Sequence, residues 1–350
     1  MSIHLAEWSP ETTRVFVVGL LEWEDPEIWA PFPDAVPGRF DAKLVQFFKS
    51  QGVPESQIVY LQDSEATLEA IQESLVEFLE DSDEEELLIL YFAGHGDWDS
   101  ETNEYYFANY DAAEDYEGYW SVSSIIDDIE ENFSGSHVLL MADCCYSGGL
   151  IDALKERDLS FAYACVTSAY SHNSSTGEWT FTEALMKGLQ GDPVVDLDGD
   201  GWITLYDFAR YAELEMAFIE EQKSMFLTLN DFDPQMQLAK VTKRGTPGGE
   251  KRVEVEYDGT WYKAKILEQK GNQARVFYIV DRSEEWVDSD RIRPYEPETF
   301  SKGKAVQVEF EEEWYPATVK RGWYGLHFVG YDGYDETWDE WVGSDRIQPA

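Results

Sequence analysis

Residues 86–96 read ELLILYFAGHG, and residues 137–145 read HVLLMADCC. Each is an unbroken apolar run with none of the in–out alternation of a strand that faces water. Each ends in a short turn that carries a chemically active side chain, His95 in the first and Cys145 in the second. An apolar run of this length belongs to a strand covered on both faces, as in a parallel sheet. RVFVVGL (14–20) and FAYACVTSA (161–169) have the same character, and a shorter strand is expected at Ile58–Leu61. Between these strands, 38–51, 65–80, 121–132 and the stretch from Trp179 to Leu189 read as amphipathic helices. In 65–80, for example, Leu68, Ile71, Leu75 and Phe78 recur at helical spacing. Alternating buried strands and helices predict an α/β fold, a mostly parallel sheet covered by helices on both faces. In such folds chemistry collects beyond the C-terminal strand ends, where His95 and Cys145 lie.

The chain has 350 residues with 43% hydrophobic residues, enough for one large core and one or two small modules. No apolar run is long enough to span a membrane, and the N-terminus lacks the basic, apolar and small-residue order of a signal peptide. A cytoplasmic protein is expected. The three cysteines, Cys144, Cys145 and Cys165, cannot make a paired framework, so reduced thiols are expected. Charge is one-sided: 71 acidic against 26 basic residues, net −45. Such a surface repels nucleic acid and anionic lipid, which excludes both as partners, and attracts cations and basic polypeptides. A solvated acidic shell accounts for the same excess.

Near residue 242 the character changes. The stretch 242–250 is rich in Gly and basic residues and reads as a linker between a domain at 1–241 and an internal repeat. The first copy (251–297) contains VEVEYDGTWYKAKILEQKGNQARVFYIVDRSEEWVDSDRIRP, the second (301–350) VQVEFEEEWYPATVKRGWYGLHFVGYDGYDETWDEWVGSDRIQP. Alternating short strands, a WY pair, then EWV and SDRI in both copies predict two small all-β barrels.

A thiol attacks a peptide carbonyl only as thiolate, so a nucleophilic Cys needs a base, usually a His distant in sequence and near in space. YFAGHG (91–96) and ADCCYSGG (142–149), in this order, resemble the caspase-like cysteine peptidases, most closely their metacaspase and orthocaspase branch. VTSAYSHNSSTGEWTFTEAL (166–185) resembles the strand and substrate-side loop that follow the nucleophile there. The resemblance implies Cys145, not Cys144, as nucleophile and His95 as general base. It implies an oxyanion hole from the backbone N–H groups of Gly96 and Cys145. Tyr146 stands where many metacaspases have His. Asp143 matches the carboxylate that selects Arg or Lys before the cleaved bond, and Asp41 in GRFDA (38–42) matches a second one. Asp41 is equally explained as a helix N-terminal charge. The short segment LIDALKERDLS (150–160) argues for activity as one chain. The branch implies an effector of stress, cell death or defence acting on protein substrates.

Residues 196–207 fit a twelve-residue calcium loop, with Asp196, Asp198, Asp200, the Trp202 carbonyl, Thr204 and Asp207 at the ligand positions and Gly201 at the sixth. Asp replaces the usual final Glu, and a tight turn before a helix at Tyr206–Ile219 accounts for the same pattern. Metacaspases carry an acidic calcium site beside the nucleophile loop, and Asp111, Asp127, Asp128 and Asp152 match it in position. Calcium is therefore the expected ion, structural in the loop at 196–207 or activating at the second site by ordering the active-site loop, and no organic cofactor is expected.

The repeats resemble Tudor-knot or chromo-barrel domains, whose aromatic cages bind methylated lysine by cation–π attraction. The matching residues are Tyr315, Phe328, Tyr331 and Trp338; the first copy keeps Tyr262 and Tyr278, but Asp281 replaces the third aromatic. Barrel core explains the same rings. The barrels are expected to dock a substrate, a regulator or the peptidase domain itself. Three functions follow: an Arg/Lys-directed cysteine endopeptidase, a catalytically silent scaffold, or a methyl-lysine-type reader with the peptidase as effector.

Overall fold

Six strands form the central sheet of the computed structural model, which describes residues 5–113, 118–170, 178–242, 251–310 and 313–350. They are β1 Thr13–Gly19, β2 Ile58–Gln62, β3 Leu87–Ala93, β4 His137–Asp143, β5 Ala162–Thr167 and β6 Met225–Leu229, in the spatial order β6-β5-β4-β3-β1-β2. All neighbours are parallel except β6, which runs antiparallel to β5. Every residue of β1, β3 and β4 is buried, as their continuous apolar runs require.

Successive residues of those strands feed opposite cores. Val15, Val17, Ile89, Tyr91, Leu139 and Met141 pack under helices α1 (Phe40–Gln51), α5 (Thr180–Leu189) and α6 (Leu205–Glu215). Phe16, Val18, Leu88, Leu90, Phe92 and Leu140 pack under α2 (Leu68–Glu80), α3 (Val122–Asn132) and α4 (Gly149–Lys155). At roughly 1.5–3 kcal/mol for each fully buried large side chain, these two layers dominate the favourable side of folding. Thr67, Ser121 and Thr204 cap α2, α3 and α6 with their side chains, each taking one N–H that the first helical turn leaves unpaired.

The structure adds elements that periodicity missed. Strand β6 and the seven-residue α4 are too short to show a period, and three short strands, Gly96–Asp99, Glu104–Phe107 and Trp120–Ser121, form a separate sheet directly after His95. Helix α6 ends at Glu215 and continues as a π-helical stretch, Met216–Glu220.

The two repeats are five-stranded antiparallel barrels of identical strand order. The first comprises Arg252–Tyr257, Thr260–Lys270, Gln273–Tyr278, Glu284–Asp288 and Ile292–Pro294; the second comprises Ala305–Phe310, Glu313–Trp323, Leu326–Tyr331, Glu340–Val342 and Ile347–Pro349. Their shared EWV and SDRI signatures have a physical cause. Glu285 accepts from Tyr278 and pairs with Arg291, and Glu340 accepts from Tyr331 and pairs with Arg346, one polar knot per barrel, buried in the second and partly exposed in the first. The register shift in the second strand of each barrel, at Ile266/Glu268 and Val319/Arg321, also recurs. From residue 243 the expected linker lies outside the described residues.

Both barrels sit on α6 and its π-helical extension. Leu214, Ala217 and Phe218 pack against Leu326 and Trp341 of the second barrel and against Ile279 and Tyr295 of the first barrel and its C-terminal edge. Glu215 pairs with Lys265 and Arg252, and the Glu221 carbonyl accepts from Arg346. Among the described residues no helix is long and apolar enough to cross a membrane.

Candidate active site

The site starts from the register of β1, β3 and β4, which brings Gly19, Ala93 and Asp143 into one row across the sheet. His95 and Cys145 each follow that row by two residues, on adjacent strands. Two glycines let the turns touch. Gly94 has φ +156°, and a Cβ there would press on the Leu20 carbonyl at 3.3 Å; a Cβ on Gly96 would lie 2.1 Å from the Cys145 carbonyl oxygen. The backbone after the histidine thus lies directly on the nucleophile turn.

The His95 Nε2 lies 2.8 Å from the Ala30 carbonyl oxygen, which fixes the hydrogen on Nε2 and leaves Nδ1 as the basic nitrogen. Trp23, Trp29 and Phe32 surround the ring, with centroids 4.5, 5.1 and 4.4 Å away. Burial among them lowers the imidazole pKa below its ordinary 6.5, the Ala30 carbonyl partly opposing, so the ring is a neutral base at neutral pH. None of these four residues was expected; they come from the irregular segment after β1, and its density of tryptophan in a stretch without period was the available signal.

Of the three thiols, Cys144 and Cys165 are buried and burial pushes both far above the ordinary thiol value. Cys145 alone is partly exposed. Its turn is held by Tyr146 at φ +54°, by the Ala169 N–H donating to Ser147 at 3.0 Å, and by the Cys144 N–H donating to Ser168 at 3.1 Å. The Ala108 N–H donates to the His95 carbonyl, which makes Gly96–Phe107 a non-hydrogen-bonded pair and turns the Gly96 N–H away from its partner strand.

Asp143 closes β4 and is buried. Its Oδ2 accepts from the Thr182 N–H at 3.3 Å and from the Thr182 hydroxyl at 2.5 Å, and that hydroxyl lies 2.5 Å from Tyr91 Oη. Burial pushes its pKa up to about 7, against these hydrogen bonds. Asp41 departs from the expected open pocket. It is fully buried beside Gly19, and its oxygens are taken by Arg39 at 2.8 Å, by Tyr60 at 2.9 Å and by the Ala42 N–H at 2.8 Å. Arg39 also binds the Gly19 carbonyl and Asp63. Asp41 therefore serves an internal arginine.

Residues 41–223, a little over half of the chain and including both His95 and Cys145, match the family model described as Caspase domain. The chain belongs to the caspase-domain family. That family is one of cysteine peptidases, and an Agenet domain, a Tudor-like module, matches 250–297 over the first barrel. Among solved structures, a structural-genomics protein from Geobacter sulfurreducens aligns at 13% identity and TM-score 0.47, over 68% of this chain and 98% of that one. The Arabidopsis thaliana AGDP1 AGD34 structure aligns at 21% identity and TM-score 0.14, over 29% of this chain and 80% of that one. The ADCP1 tandem Agenet domain 3-4 structure aligns at 22% identity and TM-score 0.14, over 29% and 78%. A comparison with curated proteins gave no match.

In this caspase-family chain the expected metal residues divide. Asp196, Asp198 and Asp200 bring carboxylate oxygens within 4.8 Å of one another, the one such group among the described residues. The Asp196 oxygens also accept from the Gly199 and Gly201 N–H groups, which folds the loop. Thr204 and Asp207 spend their side chains on each other as the capping box of α6, and burial, helped by the Asp198 and Asp196 charges, raises the Asp207 pKa. The second expected site does not assemble. Asp111 accepts from the Leu68 N–H at the start of α2, Asp127 pairs with Arg157 across from α3, and Asp111, Asp127, Asp128 and Asp152 do not converge into a group that could hold an ion.

Of the four residues expected for an aromatic cage, Tyr315, Tyr331 and Trp338 come together on the second barrel. Phe310, Tyr315, Tyr331, Tyr334 and Trp338 line a cavity of about 200 Å³. Phe328 lies elsewhere: it packs on Trp341 at 5.4 Å and under Arg321, on the side facing α6. Strand alternation explains the error, because Phe328 sits an odd number of residues from Tyr331 and points to the opposite side. Trp338 also touches Tyr170 of the peptidase domain, ring centroids 5.8 Å apart.

Proposed function

We propose that this chain is a cysteine endopeptidase that cleaves proteins after Arg or Lys, with Cys145 as nucleophile and His95 as base. The observation that carries the reading is one accessible thiol and one desolvated imidazole, its Nε2 tied to a carbonyl, on the turns that end two adjacent strands. In this mechanism Nδ1 of His95 takes the Cys145 proton as Sγ bonds to the scissile carbonyl carbon. The Gly96 and Cys145 N–H groups receive the oxyanion. The amine leaves with the proton from His95, and water then hydrolyses the thioester, regenerating thiol and neutral imidazole. Asp143, ionised, pairs with the guanidinium or ammonium of the residue before the cleaved bond. Asp41, neutralised by Arg39, contributes structure rather than charge to that pocket.

Asp196, Asp198, Asp200 and the Trp202 carbonyl are the residues that would hold calcium, with Asp207 beside them. Three converging carboxylates fit a hard divalent cation, and a bound ion would relieve their mutual repulsion and stiffen the loop that opens α6. This is a structural role, distant in sequence from Cys145.

A second reading rests on the cage of the second barrel. Five rings around a cavity, on a chain of net charge −45, suit a methylated ammonium, and the cage would dock a substrate or regulator bearing one. We place the protein in the cytoplasm, consistent with its free cysteines.

Fluorogenic peptides ending in Arg, Lys or Asp, assayed with calcium and with chelator, test the proposal. Cleavage after Arg or Lys that is lost in Cys145→Ala is expected. Cleavage after Asp refutes the pocket, and silence on all three with an intact fold leaves a scaffold.

A further inference from the structure

Besides Arg252 and Lys265, which meet Glu215, the first barrel sends a second arginine to the peptidase domain. Arg282 sits at the tip of the connection between the strands Gln273–Tyr278 and Glu284–Asp288, at φ +58°. Asp281 beside it accepts from the Ser283 N–H at 3.1 Å and hydroxyl at 2.7 Å, a local turn that leaves Arg282 projecting. Its guanidinium pairs with Glu220, whose side chain is 2% exposed, lies 3.6 Å from the Glu178 carboxylate, and donates to the Thr180 hydroxyl at 3.4 Å. The Thr180 hydroxyl in turn donates to Glu220. One cation therefore joins the end of the π-helical stretch to the first turn of α5. Two residues into that turn, Thr182 holds Asp143 with both its N–H and its hydroxyl.

We propose that Arg282 is a positioning residue of the peptidase site: through Glu220 and the first turn of α5 it fixes where Thr182 holds Asp143 and how much negative charge surrounds that carboxylate. The proposal deepens the Arg/Lys-directed reading, on which it rests, and makes the first barrel part of the specificity apparatus. Without Arg282, Glu178 and Glu220 are two carboxylates at the start of one helix, the second buried, and their repulsion opposes the geometry in which α5 grips Asp143. Among the described residues, the titratable groups acting on Asp143 include Cys144 of its own turn, Tyr91 behind Thr182, and Glu220, while Ser168 and Thr182 donate hydrogen bonds. Glu220 is the one that Arg282 compensates, and its charge acts to raise the Asp143 pKa.

The test needs a readout other than loss of fold. Thermal unfolding of the full chain and of Asp143→Asn is compared across pH, with Arg282 present or replaced by Ala. Asp143 binds its proton more tightly folded than unfolded. Its stability penalty relative to Asn therefore grows as pH rises from the unfolded carboxylate value, and levels off once the folded group ionises, at about 7. Arg282→Ala is expected to move that levelling point upward by about half a pH unit or more. Arg282→Lys should keep it in place, and adding Glu220→Gln to Arg282→Ala should bring it back. A levelling point unchanged in Arg282→Ala overturns the proposal; if that variant does not fold, Arg282→Gln takes its place under the same criterion. On Arg-ended peptide, Arg282→Ala should raise KM roughly tenfold with a smaller change in kcat, the sign of lost ground-state binding. If wild-type protein cleaves nothing, the peptidase reading fails alone, and the thermal titration still decides the role of Arg282.

Discussion

Cys144 and Cys145 are neighbours in sequence and opposites in chemistry. Cys144 points into the apolar layer under α2–α4, where a thiolate has no solvation, whereas Cys145 lies half-buried on the turn at the strand ends. Brief treatment of the native protein with iodoacetamide should alkylate Cys145 and spare Cys144 and Cys165 by peptide mass mapping. Modification of Cys144 at a comparable rate would count against the assignment. Two titrations shape the pH profile on Arg-ended peptide. His95 must be neutral to take the thiol proton, and its pKa lies below 6.5; Asp143 must be ionised to bind the cation, at about 7. The acid limb of kcat/KM, which reports the free enzyme, should therefore fall near 7. In Asp143→Asn the residual activity should keep an acid limb, now moved down to the His95 value. The residue types were legible in YFAGHG and ADCCYSGG; the aromatic shell of His95 was not, because Trp23, Trp29 and Phe32 reach it from a segment with no period.

At the scale of elements, helix α6 carries two duties. Thr204 and Asp207 cap its start by a reciprocal pair, and its far end receives both barrels. Thr204→Ala should cost about 1 kcal/mol, the usual loss for an N-cap, seen as a small fall in Tm without calcium. If the Asp196 loop binds calcium, the ion should raise Tm in wild type, and Asp198→Asn should blunt that rise. A Tm indifferent to calcium at millimolar concentration would remove the ion from the account. Helices α1, α2, α3 and α5 were visible as periods of apolar residues. The seven-residue α4 and the edge strand β6 were not, since fewer than two turns or five half-buried residues show no repeat that a loop could not imitate.

At the scale of the molecule, peptidase domain and barrels form a continuous body joined by Phe218, Trp341 and Tyr295 and ringed by Glu215, Lys265 and Arg252. Phe218→Ala removes a buried ring that stacks edge-on with Tyr295 and carries Arg252 on its face. A buried Phe→Ala change typically costs about 3–5 kcal/mol, of which the interface bears the larger part here. The barrels should then separate, with a larger radius of gyration by X-ray scattering and an unfolding trace that splits in two. One unchanged, single transition would show that the docking does not depend on this contact.

The sequence by itself determined the sheet, its flanking helices, the order of the histidine and cysteine turns and the presence of two equivalent barrels. Each of these is written in a local period or a repeated string, and solvent reads such patterns segment by segment. Only the tertiary structure decided which charges meet. Asp41 went to Arg39, the four scattered aspartates stayed apart, Phe328 turned away from the cage, and Arg282 came across from the barrel to Glu220. The reason is that buried charge must be matched at a few ångströms, and the partner that comes closest is set by how whole elements pack, which spacing along the chain does not encode.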